Sequence, residues 1–172
     1  MALPAPATVT SIFTNIFADN AAARSYRKNV DNGNAEHLYL SRPEMERMRL
    51  RRRTDKGTDV ALVLEHGIRL HHGDVIEIPG RQVVVMQLPE KVLSVRLKGG
   101  LGMTRAAALV GHAIGNRHRP ISVDGQTISF PAMADAELAS FKKHFRGLGV
   151  QLFVKEKVFL PTVESGGEHH QH

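Results

Sequence analysis

Lys91-Val92-Leu93-Ser94-Val95-Arg96-Leu97-Lys98 is the stretch whose reading decides the fold. Leu93, Val95 and Leu97 alternate with Val92, Ser94, Arg96 and Lys98, the period of a half-buried strand. After Gly99-Gly100-Leu101-Gly102 the period changes. Met103, Ala106, Ala107, Val110, Ala113 and Ile114 recur at helical spacing, which predicts an Ala-rich helix to about Gly115. Residues 120–123 and 127–130 then flank Asp124-Gly125, a strong short hairpin signal. A second helix is capped or opened by Asp135, shows Leu138, Phe141, Phe145 and Leu148 on one face, and ends at Gly147 and Gly149. Residues 150–159 form a last strand. The order β-α-β-β-α-β is the ferredoxin-like split.

Upstream, the pattern is short strands and tight turns. Residues 48–54 and 60–64 are strand-like around Asp55-Lys56-Gly57, and 68–70, 75–78 and 82–87 follow between Glu65-His66-Gly67, His71-His72-Gly73-Asp74 and Pro79-Gly80. Glycine supplies positive φ at such turns at little steric cost. Regular short strands with this punctuation predict a small all-β, barrel- or sandwich-like unit. Before it, residues 9–17 could pair as a strand, whereas 18–34, rich in Ala, Asn, Asp and Gly, reads as a loop or insertion. Leu88-Pro89-Glu90 is the expected boundary. The expectation is an α+β chain: an N-terminal β domain over 1–90, a ferredoxin-like domain over 91–160, and a disordered His-containing tail over 161–172.

The 172 residues contain no cysteine and no tryptophan. That excludes a disulfide scaffold, a thiolate metal site and cysteine nucleophilic catalysis, leaving His, Asp, Glu, backbone or water to hold any transition metal. No run approaches the roughly 20 apolar residues that cross a bilayer. The start, Met1-Ala-Leu-Pro-Ala-Pro, has no charged n-region, so the chain is expected to be cytoplasmic, with no membrane role. Formal net charge is +6. Much of the excess sits in Arg47, Arg49, Arg51, Arg52 and Arg53, and on a strand Arg47, Arg49, Arg51 and Arg53 would share one face. Such a face is a guarded sheet edge or a surface for an acidic protein. Nucleic acid is disfavoured, because no aromatic residue interleaves with the arginines.

The chain closes on Gly166-Gly167-Glu168-His169-His170-Gln171-His172, three imidazoles and a carboxylate on a glycine hinge. Neutral imidazole suits nickel, copper and zinc, and a packed core has no use for such a tail. The alternative is an affinity tag or a chance polar terminus, although Gln171 interrupts the His run. A second candidate is His112-Ala-Ile-Gly-Asn-Arg-His118 at the end of the first helix. Six residues apart, His112 and His118 do not share a helical face, and a lone His there is often only a C-terminal cap. If each of two chains donates one, symmetry makes one imidazole two, and tail histidines can complete the shell. The Ala-rich helix could supply the dimer face. His71 and His72 read as a solvated turn pair, His37 and His66 as surface or turn residues, and His144 as a residue at the core margin.

Gly115-Asn116-Arg117-His118 after an Ala-rich helix resembles the signature of the UreE urease accessory proteins, a family of nickel metallochaperones. The stretches 46–55, with its arginines, and 66–76, with its Gly and Asp turn residues, resemble that family as well, and the similarity covers roughly residues 38–160. It implies a non-enzymatic homodimer that delivers nickel to the urease apoprotein alongside other urease accessory proteins. It also implies that His118 of each chain shares one ion between ferredoxin-like domains, and that the N-terminal domain binds partner peptides. Tail residues His169, His170 and His172 would be further ligands or a reservoir, and zinc or copper could occupy the same site in vitro. The chain departs from the pattern at Ala113, where some members carry histidine. His112 lies one residue earlier, about 100° round the helix, which leaves its ligation open. Residues 17–36 have no counterpart in the resemblance. The rival reading is a basic adaptor that binds an acidic protein or nucleic acid through residues 47–53. A hydrolase has no support in Gly-x-Ser-x-Gly or His-Glu-x-x-His patterns.

Overall fold

In a computed structural model, residues 6–132 and 134–162 are described. The chain divides into two compact units, Met1–Leu88 and Pro89–His172.

The first unit carries two sheets. One has the order β1-β5-β4, from β1 (Ala7–Val9), β4 (Arg49–Arg53) and β5 (Asp59–Val63). The other runs β2-β6-β7-β3, from β2 (Thr14–Asn15), β3 (His37–Leu40), β6 (Asp74–Ile78) and β7 (Arg81–Gln87). Neighbours pair antiparallel except β1 with β5 and β3 with β7, which are parallel. One core draws on both sheets, with Leu38, Leu40, Val60, Leu62, Ile76, Val83 and Val85 buried together. The β-branched runs suit the pleated surface. Gly73 is needed for two reasons: its φ is +87°, and a Cβ there would stand 2.4 Å from the Phe17 ring.

Three expectations are corrected here. Residues 18–34 are not a loop: α1 (Asn20–Asp31) occupies most of them. The Asp19 carboxylate caps it, accepting from the Ala21 and Ala22 amides at 2.7 and 3.3 Å. The polar residues read as loop are its ends. Residues 9–17 do not make one strand but divide between β1 and β2. Residues 68–70 are irregular, because Ile68 and Leu70 pack onto the core without a ladder. A short α2 (Arg42–Met45) precedes β4.

The second unit has the order β8 (Glu90–Arg96), α3 (Met103–Gly115), β9 (Ser122–Asp124), β10 (Thr127–Pro131), α4 (Asp135–His144), β11 (Gln151–Lys157). Its sheet runs β11-β8-β10-β9, antiparallel throughout. Ala106, Val110 and Ile114 of α3 and Leu138 and Phe141 of α4 pack with Leu93, Val95, Ile128 and Phe130 of the sheet. The second face of β8 is not the polar surface its alternation predicted. Val92 and Ser94 are buried, and Ser94 Oγ lies 2.8 Å from Ser129 Oγ. As the central strand, β8 has neighbours on both sides, and Phe153, opposite Ser94 in register, stands on that face beneath the Arg96 and Lys155 cations.

Candidate metal centre

The end of α3 shows what each residue of Gly115-Asn116-Arg117-His118 does. The His118 amide donates to Gly115 O at 2.8 Å, and the Arg119 amide reaches back to Ile114 O at 3.5 Å. Those two bonds, with His118 at φ +50°, make the left-handed helix stop in which glycine usually sits. His118 is the one non-glycine residue at positive φ among the described residues. Histidine tolerates that conformation better than most side chains, yet it still costs of the order of 1 kcal/mol.

The neighbours of His118 are all engaged. Arg117 Nη1 donates to Ala113 O at 3.0 Å and Nη2 to Ser140 Oγ at 3.3 Å, while its guanidinium stacks 4.5 Å from the Phe141 ring centre. Arg119 binds Glu137 Oε1 through Nε and Nη2 at 3.1 and 2.9 Å. Both arginines therefore fasten the end of α3 to α4. Asn116 Nδ2 lies 3.0 Å from His112 Nε2. That contact engages the His112 ring nitrogen with the Asn116 amide group. His118 is the exception, with an exposed side chain that makes no hydrogen bond or ion pair among the described residues. A strained backbone that holds an unengaged imidazole in solvent is the kind of outlier from which a functional role is inferred.

The remaining sequence candidates scatter. His112 is exposed on α3, and His169, His170 and His172 lie outside the described residues. His144 is exposed, with Nδ1 2.9 Å from Ser140 O, rather than at the core margin. His37 is not a free surface residue. Its Nδ1 lies 2.7 Å from Asp55 Oδ2 and its Nε2 3.0 Å from the Tyr26 hydroxyl. His72 is half-buried rather than solvated: its Nδ1 accepts from the Gln87 amide at 3.1 Å and its ring lies 5.2 Å from Phe17. Burial pushes the His72 imidazole below its ordinary pKa. His71 and His66 are exposed. Among the described residues no three His, Asp or Glu side chains are grouped to hold an ion. Arg117, Arg119 and Glu137 were not legible in the sequence as positioning residues. Their partners lie on another helix, and the only available signal was a basic pair flanking a histidine.

The arginine cluster sits on β4, with Arg47 just ahead of it. Arg51 binds Asp59 through Nε and Nη2 at 3.0 and 2.6 Å, and Arg52 binds Glu44. Bonds from the Ser41 amide and hydroxyl, then Arg52, hold the Glu44 carboxyl down to about 2. No described helix is long and apolar enough to cross a membrane.

Residues 9–88 match the model of the UreE urease accessory protein, N-terminal domain. A urease accessory protein UreE from Natronomonas pharaonis is 27% identical over 171 residues, 95% of this chain and 79% of that protein. One from Paraburkholderia xenovorans is 38% identical over 105 residues, 59% of this chain and 45% of the relative. One from Burkholderia ambifaria is 35% identical over 139 residues, 80% of this chain and 64% of the relative. The matched stretches thus span between 45% and 79% of these relatives' own lengths. The N-terminal match ends at Leu88, and all three alignments, being longer than the chain's first unit, must extend into the second, which carries the His118 helix stop. The chain belongs to the UreE family of urease accessory proteins.

Proposed function

We propose that this protein is a non-enzymatic nickel metallochaperone that hands nickel to the urease apoprotein during assembly. The working form is a homodimer in which His118 of each chain holds one shared ion. His169, His170 and His172 capture and release further ions, and His112 is a reserve ligand that must first leave Asn116. The second unit carries metal and dimer contact, and the first carries partner binding. One observation supports the reading above others: His118 pays for a left-handed backbone and leaves its ring exposed and unengaged, while its neighbours are tied to α3 or α4. A single exposed imidazole is a weak ligand, so a two-fold partner is required to make a site. Leu101 and Leu109, exposed on or beside α3, supply apolar surface for that contact. Selectivity cannot rest on affinity, since copper outcompetes nickel at nitrogen ligands; it rests on geometry, supply and the recipient. Calorimetric nickel titration of the full chain, of His118→Ala, and of both truncated after Leu160 tests this. Unchanged nickel binding by truncated His118→Ala would remove His118 as the anchor.

A further inference from the structure

The free edge of β4 has a feature that metal carriage does not use. The Leu64 amide donates to Met48 O at 2.8 Å and the Thr54 amide to Thr58 O at 3.0 Å. With Leu50 opposite Leu62 and Arg52 opposite Val60, these bonds set the phase of the ladder: Leu50 and Arg52 aim their backbone groups at β5. Arg49, Arg51 and Arg53 therefore aim theirs away from the sheet. No described backbone group pairs with them, and β4 is the last strand of its sheet. The same three residues project their side chains from one face, all exposed. Arg51 O accepts only a long 3.3 Å bond from Arg52, exposed to solvent and displaceable.

The edge is therefore open over five residues and strongly cationic. Arg49 and Arg53 make no ion pair among the described residues, and the four strand arginines face only Asp59 and Glu44. Charged side chains on an edge deter pairing between copies of the same chain. The same arrangement favours a segment of opposite charge, because a strand added here would set its alternate side chains directly across from Arg49, Arg51 and Arg53.

We propose that β4 is a docking edge for an extended acidic segment of a partner protein, in which Glu or Asp recurs at every second residue. The segment pairs antiparallel with β4, exchanging backbone hydrogen bonds with Arg49, Arg51 and Arg53, and its carboxylates neutralise the guanidinium row. This goes beyond nickel carriage and stands or falls independently of His118.

The test uses the full chain and fluorescent peptides of equal composition, one alternating Glu with Thr and one with all Glu followed by all Thr. The alternating peptide should bind about 10-fold tighter, the sum of three cross-strand charge pairs. Arg49→Gln with Arg53→Gln should cut that difference to about 2-fold, the share of the remaining Arg51 pair. Amide exchange should slow at Arg49, Arg51 and Arg53 on binding, while Leu50 and Arg52, already bonded to β5, stay unchanged. Equal binding of the two peptides would overturn the proposal, as would an absence of binding or of protection at the three outward amides. Displacement of the peptide by oligo-dT at equal charge concentration would also overturn it, in favour of a nucleic-acid surface.

Discussion

Replacing His118 by glycine should stabilise the apo protein while removing its nickel anchor. The left-handed φ of +50° costs a non-glycine residue about 1–2 kcal/mol, reduced by histidine's relative tolerance. Glycine escapes that cost but loses about 0.5–1 kcal/mol more backbone entropy on folding. The exposed ring has no packing to lose, so the net gain is about 0–1 kcal/mol. For a unit of this size that raises Tm by up to about 8 °C. His118→Ala keeps the left-handed strain and should change stability by less than about 0.5 kcal/mol. Scanning calorimetry in chelator reads these values. In nickel at about 100 times Kd the order should reverse, because ligation stabilises only the wild type, by about 2.7 kcal/mol. A glycine variant less stable than wild type in chelator would refute the reasoning about the helix stop. A variant with an undiminished nickel shift would refute the anchor.

Truncation after Leu160 should lower the number of ions bound and speed their exchange, yet leave one ion per two chains, since a hinged tail loses conformational entropy at each capture; nickel stoichiometry by equilibrium dialysis decides. Arg117→Ala removes two hydrogen bonds and the Phe141 stack and should cost about 1–3 kcal/mol in urea unfolding, with Arg117→Lys no real rescue because ammonium neither forks nor stacks. The lowered His72 pKa means the unfolded chain binds its proton first. Stability from the neutral ring is thus complete above about pH 6.5 and lost as pH falls below it, and His72→Gln should flatten the urea midpoint between about pH 7.5 and 5.5.

The elements that the sequence disclosed are those whose signal is local. α3 and α4 follow from apolar spacing, and β9 and β10 from Asp124-Gly125. α1 was missed for an instructive reason. Asp19, Asn32 and Gly33 are loop-forming residues by composition, but they stand at the helix ends, where capping needs them, around a body of Ala21, Ala22 and Ala23. The parallel pairings of β1 with β5 and β3 with β7 carry no local mark, because parallel partners are joined through long connections. At the candidate site, the identity of His118 was legible and its conformation was not. A left-handed stop normally announces itself through Gly or Asn, and here neither occupies the position. His37 looked like a surface residue because Asp55 and Tyr26, which fix it, are distant in sequence.

The parallel pairing of β1 also sets a schedule for synthesis. Ala7 meets Val60, so the first strand leaves the ribosome about fifty residues before its sheet neighbour exists. At about 5–20 residues per second that is roughly 3–10 s during which Val9, buried in the finished core, has no strand to pair with. Its neighbour β5 must first form a hairpin with β4, whose row of like charges repels other nascent copies. β5 thus completes the sheet late, and the arginine strand keeps an exposed, half-built β unit from pairing with copies of itself on the same message.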